Sequence, residues 1–139
     1  MFVKDLYAIS PQSTFNLQFE DGEFQEHREK HYSAIEPNYH EVIPLKILRR
    51  MGKAVRMGVG AAIPLINRNE KTDGIIIGSA NGGQEDSILF LNQIVDYDEG
   101  ILTPTNFVQS TPNALAGQLS VMTANIGYNI CLLYTSDAA

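Results

Sequence analysis

The sequence is poor in the residues on which several protein classes depend. It contains one cysteine, Cys131, three histidines and no tryptophan among 139 residues. A single cysteine excludes an intrachain disulfide framework. No apolar run approaches the length of a membrane span, and Met1 to Asp5 begin no signal-peptide apolar segment. We therefore expect a cytoplasmic protein with no membrane partner.

Positive charge is also scarce. Ten basic residues stand against 16 acidic ones, which gives a formal net charge of -6. Proteins bind phosphate backbones through a basic footprint, so this balance argues against a nucleic-acid partner while allowing a local basic patch. The hydrophobic content of 44% and the mean hydropathy of -0.11 fit one domain with its own core.

The last nine residues, Cys131 to Ala139, look like a translated sequencing-library adapter. We therefore expect residues 1–130 to be part of a larger domain and residues 131–139 to be a non-native tail. On this interpretation Cys131 receives no catalytic, metal-binding or disulfide role. A short genuine C-terminal tail is the alternative.

The first half of the chain predicts a strand, an irregular stretch and a long helix. Phe2 to Ile9 has the composition of a strand that Ser10-Pro11 ends, and residues 12–38 are polar and irregular. From Pro44, apolar residues recur every three or four positions, as on one helix face: Leu48, Met51, Val55, Val59, Ala62 and Ile66.

Breakers inside this predicted helix have expected roles of their own. Pro64 should end or kink it, because proline lacks the N–H group and crowds the preceding turn. Gly52, Gly58 and Gly60 weaken a helix, so we expect them where another backbone passes closely.

The second half predicts alternating strand and helix. Gly74 to Gly78 is a short β-branched run, typical of a strand buried on both faces. A turn through Gly82-Gly83 leads to a helix that follows Asp86-Ser87. This order favours an α/β layered domain with a mainly parallel sheet.

The last part of the chain predicts a loop and then a buried helix. Pro104 and Pro112 mark residues 103–112 as loop-like. Asn113 is expected to cap a helix over Ala114 to Asn125 that ends near Gly127.

Three local patterns are candidate sites, and each has a plainer interpretation. His27 and His31 have the spacing of two metal ligands on a helix, but Glu29 does not fit the zinc-protease motif and no third ligand is evident, so a surface location is favoured. The glycines from Gly78 to Gly83 match neither the G-x-G-x-x-G pattern nor the Walker A loop of nucleotide-binding proteins. This favours a tight strand-to-helix turn over a phosphate loop.

Half of the basic residues lie close together, on the polar side of the predicted helix. A solvated helix face and a docking patch for an acidic partner are both compatible with this cluster. Its members are Lys46, Arg49, Arg50, Lys53 and Arg56.

The run from Thr103 to Met122 resembles the β-ketoacyl synthases, condensing enzymes of the thiolase fold. The shared features are a proline-bearing loop, then Asn113, then a small-residue helix. Further matching pieces occur in the same order: Ile9-Ser10-Pro11, Leu48 to Met51, and Ile75 to Gly78 with Gly82-Gly83. The resemblance is closest to the synthase-like proteins of aryl-polyene and flexirubin-type pigment clusters.

The resemblance implies a truncated thiolase-like α/β fold and decarboxylative condensation in fatty acid or polyene biosynthesis. In the family a cysteine thiolate takes an acyl chain from acyl carrier protein, and two histidines assist decarboxylation of the malonyl unit. The cysteine falls where the adapter-like tail begins and the histidines fall beyond it. No catalytic residue, cofactor or metal is therefore assigned, and we expect this chain to be inactive by itself.

Two sets of residues carry over from the resemblance. Lys46, Arg49 and Arg50 fall where condensing enzymes dock acidic acyl carrier protein. Phe107, Gln109 and Asn113 fall where the family builds the wall of the acyl pocket near the dimer interface.

The resemblance also implies a homodimer, or a heterodimer with a ketosynthase, for the full-length protein. A chain-length-factor subunit without a nucleophile is the alternative function, and a stand-alone nucleotide-binding domain is a third. We further expect the chain to fold poorly alone, because half of a layered architecture leaves strand edges and apolar faces uncovered.

Overall fold

A computed structural model describes residues 2–12, 26, 28, 30–69, 71–97, 100 and 102–134. Within them a 3₁₀ turn at Tyr39–Glu41 precedes five helices and two strands. In chain order these are α1 (Leu45–Leu48), α2 (Lys53–Arg68), β1 (Gly74–Ser79), α3 (Gln84–Asp96), α4 (Pro104–Gln109), α5 (Ala114–Thr123) and β2 (Tyr128–Leu133). The predicted α/β organisation is confirmed.

The two strands form a parallel pair. Gly74 lies opposite Tyr128, and the register continues to Ser79 opposite Leu133. Ile75 is buried, but Ile76 on the other face is 69% exposed. The predicted strand is therefore confirmed, whereas burial on both of its faces is wrong, because helices pack on one side only within the described structure.

The hydrophobic core lies between β1 and the pair of helices α2 and α5. It also includes the 3₁₀ turn, which leads into α1. Leucine and β-branched side chains supply most of it, which is consistent with the periodicity of α2. The buried apolar residues are Tyr39, Ile43, Met51, Val55, Val59, Ile63, Ile75, Ala116 and Leu119.

The glycines of α2 do mark close approaches, but to side chains rather than to backbone. A Cβ atom at Gly58 would meet the Leu115 side chain, and one at Gly60 would meet the Tyr39 ring. The predicted close packing is thus confirmed, and the predicted backbone neighbour is wrong for these positions.

The predicted helix from Pro44 is two helices. Met51 is buried and Gly52 has an extended backbone (φ -63°, ψ 164°), so the chain leaves helical geometry between α1 and α2. Pro64 does not end α2, which continues to Arg68. Burial of side chains such as Val59 and Ile63, about 1.5 to 3 kcal/mol each, offsets the lost hydrogen bond.

Phe2 to Ile9 is not a strand, although its composition favours one. A strand forms only beside a neighbouring strand, and the described sheet consists of β1 and β2. The segment is held instead by an ion pair between Asp5 and Arg68 at 2.9 Å. A backbone hydrogen bond from the Ile35 N–H to the Ser10 carbonyl also anchors it. Much of the predicted irregular stretch, residues 13–25, 27 and 29, lies outside the described residues.

The segment predicted as a loop before Asn113 contains the helix α4. Pro104 occupies its first turn, where a missing N–H group costs nothing. Helix α4 ends where the Ser110 and Thr111 hydroxyls donate to the carbonyls of Phe107 and Val108. Prolines here start a helix rather than prevent one.

Helix α5 has the predicted start and a different end. Asn113 is its N-cap residue but makes no side-chain capping bond, and the helix stops at Thr123 rather than near Gly127. Ala124 adopts a left-handed conformation (φ 50°), and the Asn125 N–H bonds to the Ser120 carbonyl, as in a Schellman termination. The helix therefore ends one turn early.

The expectation of a non-native tail at residues 131–139 stays a prediction. Cys131 to Leu133 form the end of β2, where Cys131 lies opposite Ile77. Residues 135–139 lie outside the described residues.

Candidate functional site

Four cations form an exposed surface at the junction of α1 and α2. Lys46, Arg49, Arg50 and Lys53 are all exposed, and we call this group the basic surface. Within the described part of the chain, none of them has a carboxylate within 4.0 Å. An acidic chain therefore has four positive charges close together that find no ion-pair partner among the described residues.

The local fold adds to this positive charge. The N-cap residue of helix α2 is Gly52, which has no side chain to cap the helix, and the first turn of α2 contains no acidic residue. Helix N-termini carry partial positive charge and ordinarily attract Asp or Glu. Here Lys53 occupies the first position instead. Such a departure from helix-capping rules is typical of a functional surface, because it weakens the helix while raising the local potential.

Arg56, the fifth residue of the cluster, lies at the edge of the basic surface and differs from its four members because it forms an ion pair. Its Nε and Nη2 atoms donate to the Glu36 carboxylate at 3.0 and 3.2 Å. Its guanidinium carbon lies 5.7 Å from the centre of the Tyr39 ring. The bond from Arg56 holds the pKa of Glu36 below its ordinary value, against the opposing effect of partial burial.

Asp86 is buried at the other side of the same junction. Its carboxylate fills the space that a side chain at Gly52 would need. Desolvation raises the pKa of Asp86, and the neighbouring Glu85 adds to the rise. The sequence predicted a helix that follows Asp86-Ser87, whereas α3 begins at Gln84 and has Asp86 in its first turn. The contact with Gly52, which joins the first turns of α2 and α3, was not predicted.

A cavity of about 120 Å³ lies at the carboxyl end of β1. Its walls come from the end of β1, the glycine turn, the end of α4 and the starts of α2 and α5, including Ile77, Gly83, Gln109 and Leu115. The carboxyl ends of strands in open α/β sheets are the usual position of ligand sites. We call it the β1 cavity.

The structure separates the three predicted pocket residues. Gln109 is buried and lines the β1 cavity, whereas Phe107 and Asn113 are exposed and do not line it. Phe107 packs against Phe90 of α3, with ring centres 5.5 Å apart and planes inclined by 56°. Of these three residues in α4 and the turn after it, one thus faces inward and two lie on the outer surface.

The glycine turn is the predicted strand-to-helix connection rather than a phosphate loop. The Gly82 N–H donates to the Ser79 hydroxyl at 2.8 Å, and Gly82 has a positive φ of 53°. Gly83 lies so close to the backbone of Gln109 that a Cβ would be 2.6 Å from its carbonyl oxygen. Two acidic residues, Glu85 and Asp86, follow in the first turn of α3 and oppose anion binding there.

Other site types are not supported within the described residues. His31 is described, His27 lies outside the described residues, and the described part contains no group of three potential metal ligands. No described helix is long and apolar enough to cross a bilayer.

Comparisons with known proteins agree with one another. The sequence model of the beta-ketoacyl synthase N-terminal domain matches residues 23–130. The solved structure of the ketosynthase ApeO in complex with its chain length factor ApeC, from Xenorhabdus doucetiae, is similar with a TM-score of 0.77 and 19% sequence identity. That match covers 99% of this chain, which spans 56% of the length of the matched chain. No curated protein sequence matches.

Proposed function

Because the chain belongs to the β-ketoacyl synthase N-terminal domain family, we propose that it forms part of a 3-oxoacyl-[acyl-carrier-protein] synthase-like protein. Its fold is thiolase-like, as the resemblance implied. The complete protein would extend an acyl or polyene chain by decarboxylative condensation, and the pigment-cluster branch is the proposed subfamily. The catalytic cysteine and histidines would lie outside the part of the family that residues 23–130 match.

The basic surface is the observation that supports a carrier-protein partner. Acyl carrier proteins are acidic, and Lys46, Arg49 and Arg50 are exposed cations without an ion-pair partner among the described residues. Charges on the rim of an interface steer association and select the partner. The helix end beneath them adds positive potential that an acidic carrier would meet.

A charge reversal tests this role directly. Arg50→Glu should weaken binding of a labelled apo acyl carrier protein by about tenfold or more at low salt. Lys71→Glu is the matched control, because Lys71 is also exposed but already paired with Asp73 at 2.7 Å, just before β1. Fluorescence anisotropy with both variants measures the difference. Equal weakening by both would refute a specific docking surface.

The segment from Asn106 to Asn113, which includes the end of α4, is proposed to have two roles. Gln109 would face the acyl chain, since it lines the β1 cavity, and Phe107 with Asn113 would face a second subunit, since both are exposed. In a full-length family member, Phe107→Asp should shift the dimer toward monomer in analytical ultracentrifugation. An unchanged dimer would assign Phe107 to packing against Phe90 alone.

A non-catalytic chain-length-factor subunit is the second candidate. The similar solved structure contains such a subunit in complex with a ketosynthase, which makes this role the alternative to test. Reading the source DNA beyond codon 130 separates the two functions. A cysteine at the nucleophile position with downstream histidines supports the synthase, and its absence supports the chain-length factor. The same result tests whether residues 131–139 are native.

A further inference from the structure

We infer that Glu36 limits the affinity of the basic surface for an acidic partner, because it neutralises Arg56 within the chain. The inference rests on the proposed docking function. If an acidic partner binds the basic surface, it would compete with Glu36 for the guanidinium group of Arg56.

The position of Arg56 makes it part of the same surface by sequence and by geometry. It follows Lys53 by three residues, which places the two on adjacent turns of one helix face. Both its Nε and Nη2 atoms are bound by Glu36, and a two-point guanidinium–carboxylate pair is the strong form of this interaction. Arg56 therefore contributes little net charge to its surroundings.

The pair is accessible to a partner. The side chains of Arg56 and Glu36 are 30% and 25% exposed. A group exposed to this extent can be reached by a carboxylate on a docking protein, and it is less screened by salt than the outermost lysines. The pair thus lies at the edge of the basic surface rather than inside the core.

Glu36 also lies close to the first turn of α2, because it is bound to Arg56, three residues after Lys53. The hydrogen bond from Arg56 is the main cause of the lowered pKa of Glu36, and the charge of Lys53 adds to it. The carboxylate consequently reduces the positive potential of the first turn of α2, the same turn that lacks any acidic residue of its own. Glu36 thus supplies negative charge near the start of α2 in addition to the Asp86 carboxylate, which lies against Gly52.

The test is the conservative variant Glu36→Gln, which can keep a hydrogen bond to Arg56 and removes only the charge. We expect a labelled apo acyl carrier protein to bind it about two to five times more tightly than the parent chain at low salt. In 0.5 M NaCl the gain should disappear, because the Debye length is then only about 4 Å.

Asp96→Asn is the matched control for net charge. Asp96 is exposed and lies ten residues along α3 from Asp86, about 15 Å from the junction of α2 and α3. The two variants change the total charge equally. A similar gain from Asp96→Asn would overturn the inference, since it would show a general charge effect.

Arg56→Gln completes the comparison and does not depend on the folding of the Glu36 variant. Because its loss leaves the Glu36 carboxylate without its cation beside the basic surface, it should weaken carrier binding by about two- to fivefold in the parent chain. In the Glu36→Gln background it should abolish the gain. A gain that persists without Arg56, or an unchanged affinity of Arg56→Gln in the parent chain, would overturn the inference.

Failure of the inference and failure of the proposed function give different results. If Arg50→Glu weakens binding and Glu36→Gln has no effect, docking stands and the competition by Glu36 is rejected. If Arg50→Glu has no effect either, the docking function itself fails.

Discussion

Helices α2 and α3 are the two longest in the described part of the chain, and their surroundings differ. Helix α2 buries Val55, Val59 and Ile63 against α5, β1 and the 3₁₀ turn. Helix α3 leaves Ile88, Leu91 and Val95, spaced by three and four residues, more than half exposed, and its one buried residue is Asp86. Both helices have an apolar stripe, but among the described residues only that of α2 has a covering layer.

The difference shows what an amphipathic pattern can establish. Spacing of apolar residues identifies a helix and the side it will bury, but it does not supply the neighbour. The apolar side of α3 and the face of β1 at Ile76 expose large apolar side chains, as surfaces that partners or further domains cover commonly do.

A matched pair of leucine substitutions tests the difference between the covered α2 side and the exposed α3 side most directly. Leu119→Ala removes a side chain that is 1% exposed on the α2–α5 side and should lower the free energy of unfolding by about 3 kcal/mol. Leu91→Ala removes one that is 58% exposed on α3 and should cost less than about 0.5 kcal/mol. Urea denaturation measures both. Equal losses would show that the α3 face is covered in solution, for instance by self-association.

A pair of glycine substitutions sharpens the description of the α2 side. Gly60→Ala places a methyl group against the Tyr39 ring and should destabilise the protein by about 2 kcal/mol. A Cβ atom at Gly117 in α5 would meet no described atom of another segment within 4 Å. Gly117→Ala should therefore stabilise the protein by about 0.5 to 1 kcal/mol. Thermal unfolding of both variants tests this. A tolerated Gly60→Ala would mean that Tyr39 packs more loosely.

The ion pair that anchors α2 should give stability a specific pH dependence. The folded pKa of Glu36 lies below its ordinary 4.5, so its stabilisation is complete above about pH 5 and is lost as pH falls through the folded value. Glu36→Gln should cost about 1 kcal/mol at pH 7 and nothing near pH 2. Denaturation at several pH values measures the difference. A constant cost would assign the effect to packing.

Asp86 should change the pH dependence of stability in the opposite direction to Glu36, and its effect on the free energy of unfolding should be the smallest of those predicted. Its folded pKa lies above the ordinary 3.8, so its ionised form is penalised in the folded state. The penalty is absent below about pH 3.8 and develops as pH rises through the folded value. Asp86→Asn should therefore raise stability at pH 7, with the gain vanishing in acid. A loss of stability at pH 7 would show that the carboxylate instead stabilises the start of α2.

Much of the fold could be predicted because its signals are local. The β-branched run of β1, the glycine turn and the three-and-four spacing of α2 each lie within one segment. The errors arose where tertiary contacts decide. Buried Met51 and extended Gly52 split the predicted helix, and Pro104 begins a helix because its position is the first turn.

The candidate site could be predicted in part. A cluster of cations is visible in the sequence, and the exposure of Lys46, Arg49 and Arg50 agrees with it. The role of Glu36 could not be predicted, because it pairs with Arg56 across 20 residues of chain and no local pattern encodes that contact. Likewise, nothing in the sequence distinguishes the buried Gln109 from the exposed Phe107.

The parallel register of the two strands also constrains biosynthesis. Strand β1 starts at Gly74 and its partner only at Tyr128, so the ribosome must add α3, α4 and α5 before β1 can pair. At about 5 to 20 residues per second this leaves Ile75 to Ile77 without a partner strand for roughly 3 to 10 seconds. Chaperone demand during translation should therefore peak between the synthesis of β1 and that of β2.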